Sequence, residues 1–214
     1  GCPEQSLVMR FQKEQCAAGR TLCCRAFLDL GVFFMSCVRE VQWEAERWCG
    51  VRPEATQAVQ ALYAGACGKY ETAYGLTEPV DILKGLGQGD LASPARSKLL
   101  LTVIAGTVDR VCAGARVSGT DVRVGTCWFA DDGLILADDV QTLQRAFEAS
   151  WMVTKVAGLR MQVKKKKKTA WSATCWTSDG VERDVTGWEM RMPDKMVIPQ
   201  LTGDETYKYL GSEM

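Results

Sequence analysis

The amino-acid sequence predicts an α+β fold in which strands and helices share one core. Of its 214 residues, 47% are hydrophobic and 24% charged, a balance that supports a packed interior and excludes a disordered chain. Four stretches (38–49, 53–66, 94–113 and 139–157) repeat apolar residues with the helical period. Between them lie short apolar runs bounded by glycine and aspartate. One of these, 127–136, has apolar residues flanking an Asp-Gly pair, the kind that turns an antiparallel hairpin. A chain of this length folds as one domain or at most two.

In chain order, Ala26-Phe27-Leu28-Asp29-Leu30 is an apolar run broken by one acid, a buried strand that runs through Gly31 into a turn. That acid needs a partner, because an unpaired buried carboxylate is costly. The next helix places Val38, Val41, Ala45, Trp48 and Cys49 on one face, leaves Arg39, Glu40, Glu44 and Arg47 elsewhere, and closes at Gly50. Pro53 opens a second helix carrying Ala55, Val59, Leu62 and Tyr63. From Lys69 to Leu83 the period changes to two, with Tyr70, Thr72 and Tyr74 alternating, which predicts strands.

Gly85-Leu86-Gly87-Gln88-Gly89-Asp90 is a glycine-dense loop. Pro94 then opens a long helix with Leu99, Leu100, Val103, Ile104, Val108 and Val111. Asp138 or Asp139 caps the last helix, whose Val140, Leu143, Phe147 and Val156 face inward and which ends at Gly158. Leu159, Met161 and Val163 alternate with polar residues before five lysines, Lys164 to Lys168. The remainder reads as short strands: 170–176, a turn at Ser178-Asp179-Gly180, then Trp188, Met190 and Met192.

Histidine is absent, which excludes hydrolases with a histidine base, Cys2His2 zinc sites and histidine-ligated haem. The ten cysteines contain no C-x-x-C pair, which argues against zinc ribbons and thioredoxin-type chemistry. Several, such as Cys112 and Cys127, lie in apolar segments and read as reduced thiols of a reducing compartment. Lys+Arg and Asp+Glu balance at 26 each, so nucleic acid would have to be met by a local patch. No secretory signal is visible and the longest apolar run, Leu99 to Ala105, is too short to span a bilayer. An intracellular place, nucleus or cytoplasm, with no membrane partner is expected. The first residue is Gly1 rather than Met, which reads as a fragment.

Two features carry chemistry. Asp131 and Asp132 are adjacent, and neighbouring strand residues point to opposite faces unless the backbone turns; a tight hairpin tip holds both carboxylates at one edge. Charges this close repel, and the remedy is a divalent cation, with hard oxygens suiting magnesium. Asp29 ends another apolar strand, and if the two strands are neighbours three carboxylates converge, as two-metal nucleotidyl transfer requires. Asp-Asp-Gly by itself is usually a solvated turn. The second feature is the glycine loop, whose backbone can approach a ligand closely while the Gln88 amide contacts a nucleotide or template base. It fits neither the dinucleotide fingerprint nor the P-loop.

In order and spacing these pieces resemble the palm of a reverse transcriptase, most closely the non-LTR retrotransposon (LINE-like) kind. Ala26-Phe27-Leu28-Asp29-Leu30 resembles that family's motif A, and Gly85-Leu86-Gly87-Gln88-Gly89 with Ser93-Pro94 its motif B. Phe129-Ala130-Asp131-Asp132 resembles motif C, Gly158-Leu159-Arg160-Met161 with the lysines motif D, and Tyr207-Lys208-Tyr209-Leu210-Gly211-Ser212 the later Tyr-Leu-Gly-Ser segment. The resemblance spans roughly residues 22 to 214 and implies the polymerase palm, an antiparallel sheet of roughly three to five strands with helices on one face and a small C-terminal β appendage. Residues 1–158 would be the palm with motifs A, B and C, and 159–214 its end with motifs D and E and the appendage.

By that resemblance the chain is an RNA-directed DNA polymerase domain using two magnesium ions, deoxynucleoside triphosphates and an RNA or DNA template with a primer. Asp29, Asp131 and Asp132 would be the catalytic, metal-binding acids. Phe34 would be an aromatic gate against the sugar 2′-hydroxyl, although Phe33 and Phe34 also read as plain core. Gln88 and Gly89 would line the nascent base pair, and a motif D lysine would protonate the leaving pyrophosphate. Ungapped alignment from Gly158 points to Lys165, with Lys168-Thr169 as the rival; the run also reads as a solvated edge or a patch that touches phosphate backbone. Departures are Met35, where the family has a second acid, and Gly87, where an arginine is frequent. With 28 residues before Asp29, fingers, thumb and endonuclease are expected to be absent from this stretch. The alternative expectation is a truncated, catalytically inactive palm kept as a nucleic-acid-binding or scaffold remnant.

Overall fold

The computed structural model describes residues 3–87, 90–117, 120–163, 168–203, 208–209 and 212–213. Helix α1 (Pro3–Gly19) leads into β1 (Cys23–Gly31), a single turn α2 (Phe33–Ser36), and helices α3 (Arg39–Trp48) and α4 (Pro53–Tyr63). Two small ladders follow, β2 (Cys67–Gly68) with β5 (Val80–Asp81) around β3 (Glu71–Thr72) with β4 (Gly75–Leu76). After α5 (Ser93–Asp109) come β6 (Ala115–Arg116) and β7 (Arg123–Val124), then the hairpin β8 (Thr126–Phe129) and β9 (Asp132–Ala137). The chain ends with α6 (Val140–Val156), β10 (Arg160–Met161), β11 (Ala170–Trp176), β12 (Glu182–Asp184) and the ladder of β13 (Lys208–Tyr209) with β14 (Ser212–Glu213). Among the described residues no helix is long and apolar enough to cross a membrane.

Local chemistry sets the helix ends as expected. Prolines occupy the first turns of α4 and α5, and Asp139 caps α6 by accepting the Thr142 amide at 2.7 Å. Gly50 and Gly158 end α3 and α6 with positive φ.

The main sheet runs β12-β11-β1-β9-β8, with β10 pairing β1 beyond the end of β11; all its ladders are antiparallel. Four of these strands, with the helices between them, form two interlocked split βαβ units: β9 lies between β1 and β8, and β1 lies between β9 and β11. The fold is therefore α+β with an antiparallel sheet. One face of β1 (Cys24, Ala26, Leu28) packs with Ile135, Ala137, Trp171 and Ala173 against α5 and α6, where Val108, Leu143 and Phe147 are fully enclosed. Each such side chain contributes about 1.5–3 kcal/mol on burial. The same side continues through Leu30 and Phe33 to Ala45, Leu100 and Ile104.

Several expectations are corrected. Helices do not lie on one face only: Met9 of α1 packs with Phe27, Leu134 and Leu136 on the opposite face. Segment 170–176 is no appendage, because it pairs with β1 over five residues in the middle of the sheet; the β13–β14 ladder is separate. The Trp188–Met192 stretch forms no strand. It closes on itself through a bond from the Ile198 amide to the Met190 carbonyl, and Met190 and Met192 point into the core. The buried side of α3 is Arg39, Gln42, Ala45 and Glu46, while Trp48 is exposed, and α4 buries none of its side chains. The hairpin turns at Ala130-Asp131, one pair earlier than the Asp-Gly signal, with Phe129 opposite Asp132.

Candidate active site

Three acids meet where β1 and β9 run out. Asp29 is the register partner of Asp132, so both side chains leave the sheet on the face that carries Phe27, Leu134 and Leu136. Asp131 sits in the hairpin turn, and its carbonyl accepts the Leu30 amide at 2.9 Å, which fastens the tip to β1. Ala130 makes the turn with φ 52°, a left-handed conformation that a non-glycine residue holds only under strain. Gly133 has no Cβ because the Trp128 ring occupies that space; a methyl there would lie 2.6 Å from it.

Asp29 is also gripped from its other side. The Gln162 amide donates to its carbonyl at 2.9 Å, its own amide donates to Thr169 Oγ1 at 3.2 Å, and the Thr169 amide closes back on the Gln162 carbonyl at 2.9 Å. The two ends of the lysine run thus bracket one acid. Phe27 pairs with Ala170. Two residues before Ala170, the Lys168 ammonium donates to Asp29 Oδ2 at 2.6 Å. A row of Lys168, Asp29 and Asp132 crosses three adjacent chain segments.

The electrostatics follow from this crowding. The Asp29 side chain is only 7% exposed, and its Oδ1 is enclosed with no hydrogen-bond partner. Burial, then the charges of Asp131 and Asp29, push the Asp132 carboxyl up to about 6, with Lys168 pulling the other way. Lys168 is raised above the usual lysine value, chiefly by its bond to Asp29. The donor chemistry fits a hard divalent cation: all ligands are carboxylate oxygens, and one is buried without a partner. As placed, however, no three acid or cysteine side chains among the described residues close into a group that could hold a metal ion.

The glycine loop docks beside the turn that follows Asp29. The Leu86 amide donates to the Phe34 carbonyl at 2.6 Å and the Gly85 amide to the Cys37 carbonyl at 2.8 Å. Gly85 has φ +90°, and a Cβ on it would meet the carbonyl oxygens of Phe34 and Met35 at 2.8 Å. A polar network holds the loop from behind. Arg39 donates to the Gly85 carbonyl at 3.0 Å and stacks 4.4 Å over the Tyr63 ring, whose hydroxyl accepts the Gly87 amide at 2.7 Å. Beneath it, Arg96 and Glu46 form a buried ion pair at 2.6 Å. A cleft of about 740 Å³ opens beside the loop, lined by Arg39, Tyr63, Lys69, Tyr70 and Lys84.

The structure thus brings together Asp29, Asp131 and Asp132 and sets Lys168, the rival to Lys165, against Asp29; Lys165, Gln88 and Gly89 lie outside the described residues. Phe33 is buried core, while Phe34 is half-buried against the same cluster, its ring edge-on to Phe33 at 5.5 Å. The Arg39–Glu46–Arg96 network escaped sequence reasoning. Its signal was a polar stripe at helical spacing, Arg39, Gln42 and Glu46, on a helix whose apolar face drew the attention. No family model matches the chain, and no curated protein matches it in sequence.

Proposed function

We propose that the chain is a reverse transcriptase palm of the non-LTR retroelement kind, an RNA-directed DNA polymerase domain that takes deoxynucleoside triphosphates and a primed RNA or DNA template. One observation carries this reading: Asp29 faces Asp132 in register, with Asp131 at the adjoining turn of a split βαβ sheet. The glycine loop next to motif A adds support, as does the cleft beside it, where Arg39, Lys69 and Lys84 stand among mostly apolar residues and Asp81 and could meet backbone phosphate.

Asp29, Asp131 and Asp132 would hold magnesium. Magnesium supplies Lewis-acid stabilisation of the attacking and leaving oxygens of an in-line displacement. The chain's own part is positional. The Gln162 and Thr169 bonds fix the Asp29 backbone, the Ala130 turn aims Asp131 and Asp132, and the Arg39–Tyr63 platform sets the glycine loop that would border the base pair.

The test is primer extension on a poly-rA template with an oligo-dT primer and magnesium, wild type against Asp131→Asn. Extension by the wild type and its loss in the variant are expected; equal activity in both removes the polymerase reading. A second reading, an inactive palm retained as a nucleic-acid-binding or scaffold module, is favoured by the acids not closing into a ready cation site and by the engagement of Asp29 with Lys168. In that case neither protein extends the primer, yet both bind it with an affinity that falls as salt rises.

A further inference from the structure

Lys168 stands where a cation would. It closes the lysine run two residues before β11 and places its ammonium 2.6 Å from Oδ2 of a carboxylate that is otherwise almost enclosed. The acid's other oxygen is buried and unpartnered. Facing this pair across the sheet are Asp132 and, at the turn, Asp131, so the ammonium is a positive charge felt by all three acids. An ammonium and a divalent cation compete for the same lone pairs of Asp29 and repel each other, so both cannot sit on it together.

We propose that Lys168 is a built-in counter-ion seated on Asp29, and that a divalent cation binds Asp29 and Asp132 only when Lys168 lets Asp29 go. This rests on the reading of these acids as cation ligands. Lys168 is a positioning residue here, acting through Asp29. A lysine seated on Oδ2 leaves Asp29 one oxygen fewer to offer a cation, in keeping with the three acids not closing into a cation group as they stand. The Lys168 side chain is 45% exposed on a flexible stem, so it has somewhere to go.

The experiment is a titration of the full chain with Mn2+ alone, followed by electron paramagnetic resonance of the free ion. The wild type is compared with Lys168→Met, Lys168→Arg and Asp29→Asn, each checked for native circular dichroism. Lys168→Met binds its first Mn2+ roughly ten- to a hundredfold more tightly, the equivalent of one charge-assisted hydrogen bond. Lys168→Arg stays near wild type, and Asp29→Asn loses the site. In the wild type, acylation of the Lys168 amine, read by mass spectrometry, speeds up as Mn2+ is added. Mn2+ binding that depends on Asp29 but is not tightened by Lys168→Met overturns the counter-ion and leaves the acids as cation ligands. Absence of Asp29-dependent binding in every variant overturns both. Tightened binding without primer extension keeps the counter-ion and removes the polymerase.

Discussion

Asp29 and Asp132 are partners across one antiparallel ladder, two carboxylates directly opposite each other at the rim of the sheet. The folded chain carries a penalty in Asp132, whose carboxyl is pushed to about 6 by burial first, then by the charges of Asp131 and Asp29. The folded state therefore binds this proton more tightly than the unfolded one. The penalty is fully present above pH 6 and fades as pH falls through 6 toward the ordinary carboxylate value. Asp132→Asn should raise stability by about 1 kcal/mol near pH 8, after discounting for the half-exposed group, and by less at pH 5. Urea melts at the two pH values check this; an equal shift at both would contradict it.

Val32 begins the turn after β1 with φ 48°, although it is β-branched and 68% exposed. Nothing in its packing repays that conformation. Val32→Asn, which tolerates the left-handed region, is expected to stabilise the chain by about 0.5–1 kcal/mol. The check is the urea midpoint at constant slope; a lower midpoint would mean the side chain matters where it is.

The buried pair of Glu46 and Arg96 is backed by Gln42 and Thr56, both bonded to Glu46. Glu46→Ala leaves the enclosed Arg96 guanidinium uncompensated and should cost about 3–5 kcal/mol. Because the network supports Tyr63 and Gly85, limited proteolysis should then cut first around the glycine loop. A loss under 1 kcal/mol would show that the pair is not holding the loop.

Cys16, Cys24, Cys37 and Cys67 are thiols outside any disulfide. Cys16 is lowered to about 7, mainly by a hydrogen bond from the Cys23 thiol, while burial raises Cys24 to about 12 and Cys37 to about 11. Iodoacetamide should therefore label Cys16 with a midpoint near pH 7, well below those of the buried Cys24 and Cys37, when each site is followed by peptide mass mapping. Labelling of Cys16 only above pH 8.5 would disprove the Cys23 bond.

Where the chain reports itself locally, the sequence was readable. The acid in an apolar run, the two prolines, Asp139 and Gly158 all do what their side chains and backbones dictate. Helix α1 was not readable because its apolar residues form no single stripe: Met9 is buried with Gln5 and Gln12, while Leu7 and Phe11 are exposed. The polar side of α3 is not legible locally, because its charges are satisfied by partners far along the chain, Gly85 and Arg96. Spacing counted from Gly158 reaches Lys165, whereas the contact of Lys168 with Asp29 follows from the pairing of β11 with β1. That contact depends on long-range pairing, and no window of sequence contains it.

The bond from the Thr169 amide to the Gln162 carbonyl is a clasp at the neck of the lysine run. What is strung beyond a clasp can change in length at little expense, since ring closure depends only weakly on the number of links. A chain that gained or dropped a lysine or two there would keep Thr169 against Asp29 and Lys168 one step before it. The count of lysines can vary while the Thr169 backbone stays fastened to Gln162 and its hydroxyl to Asp29.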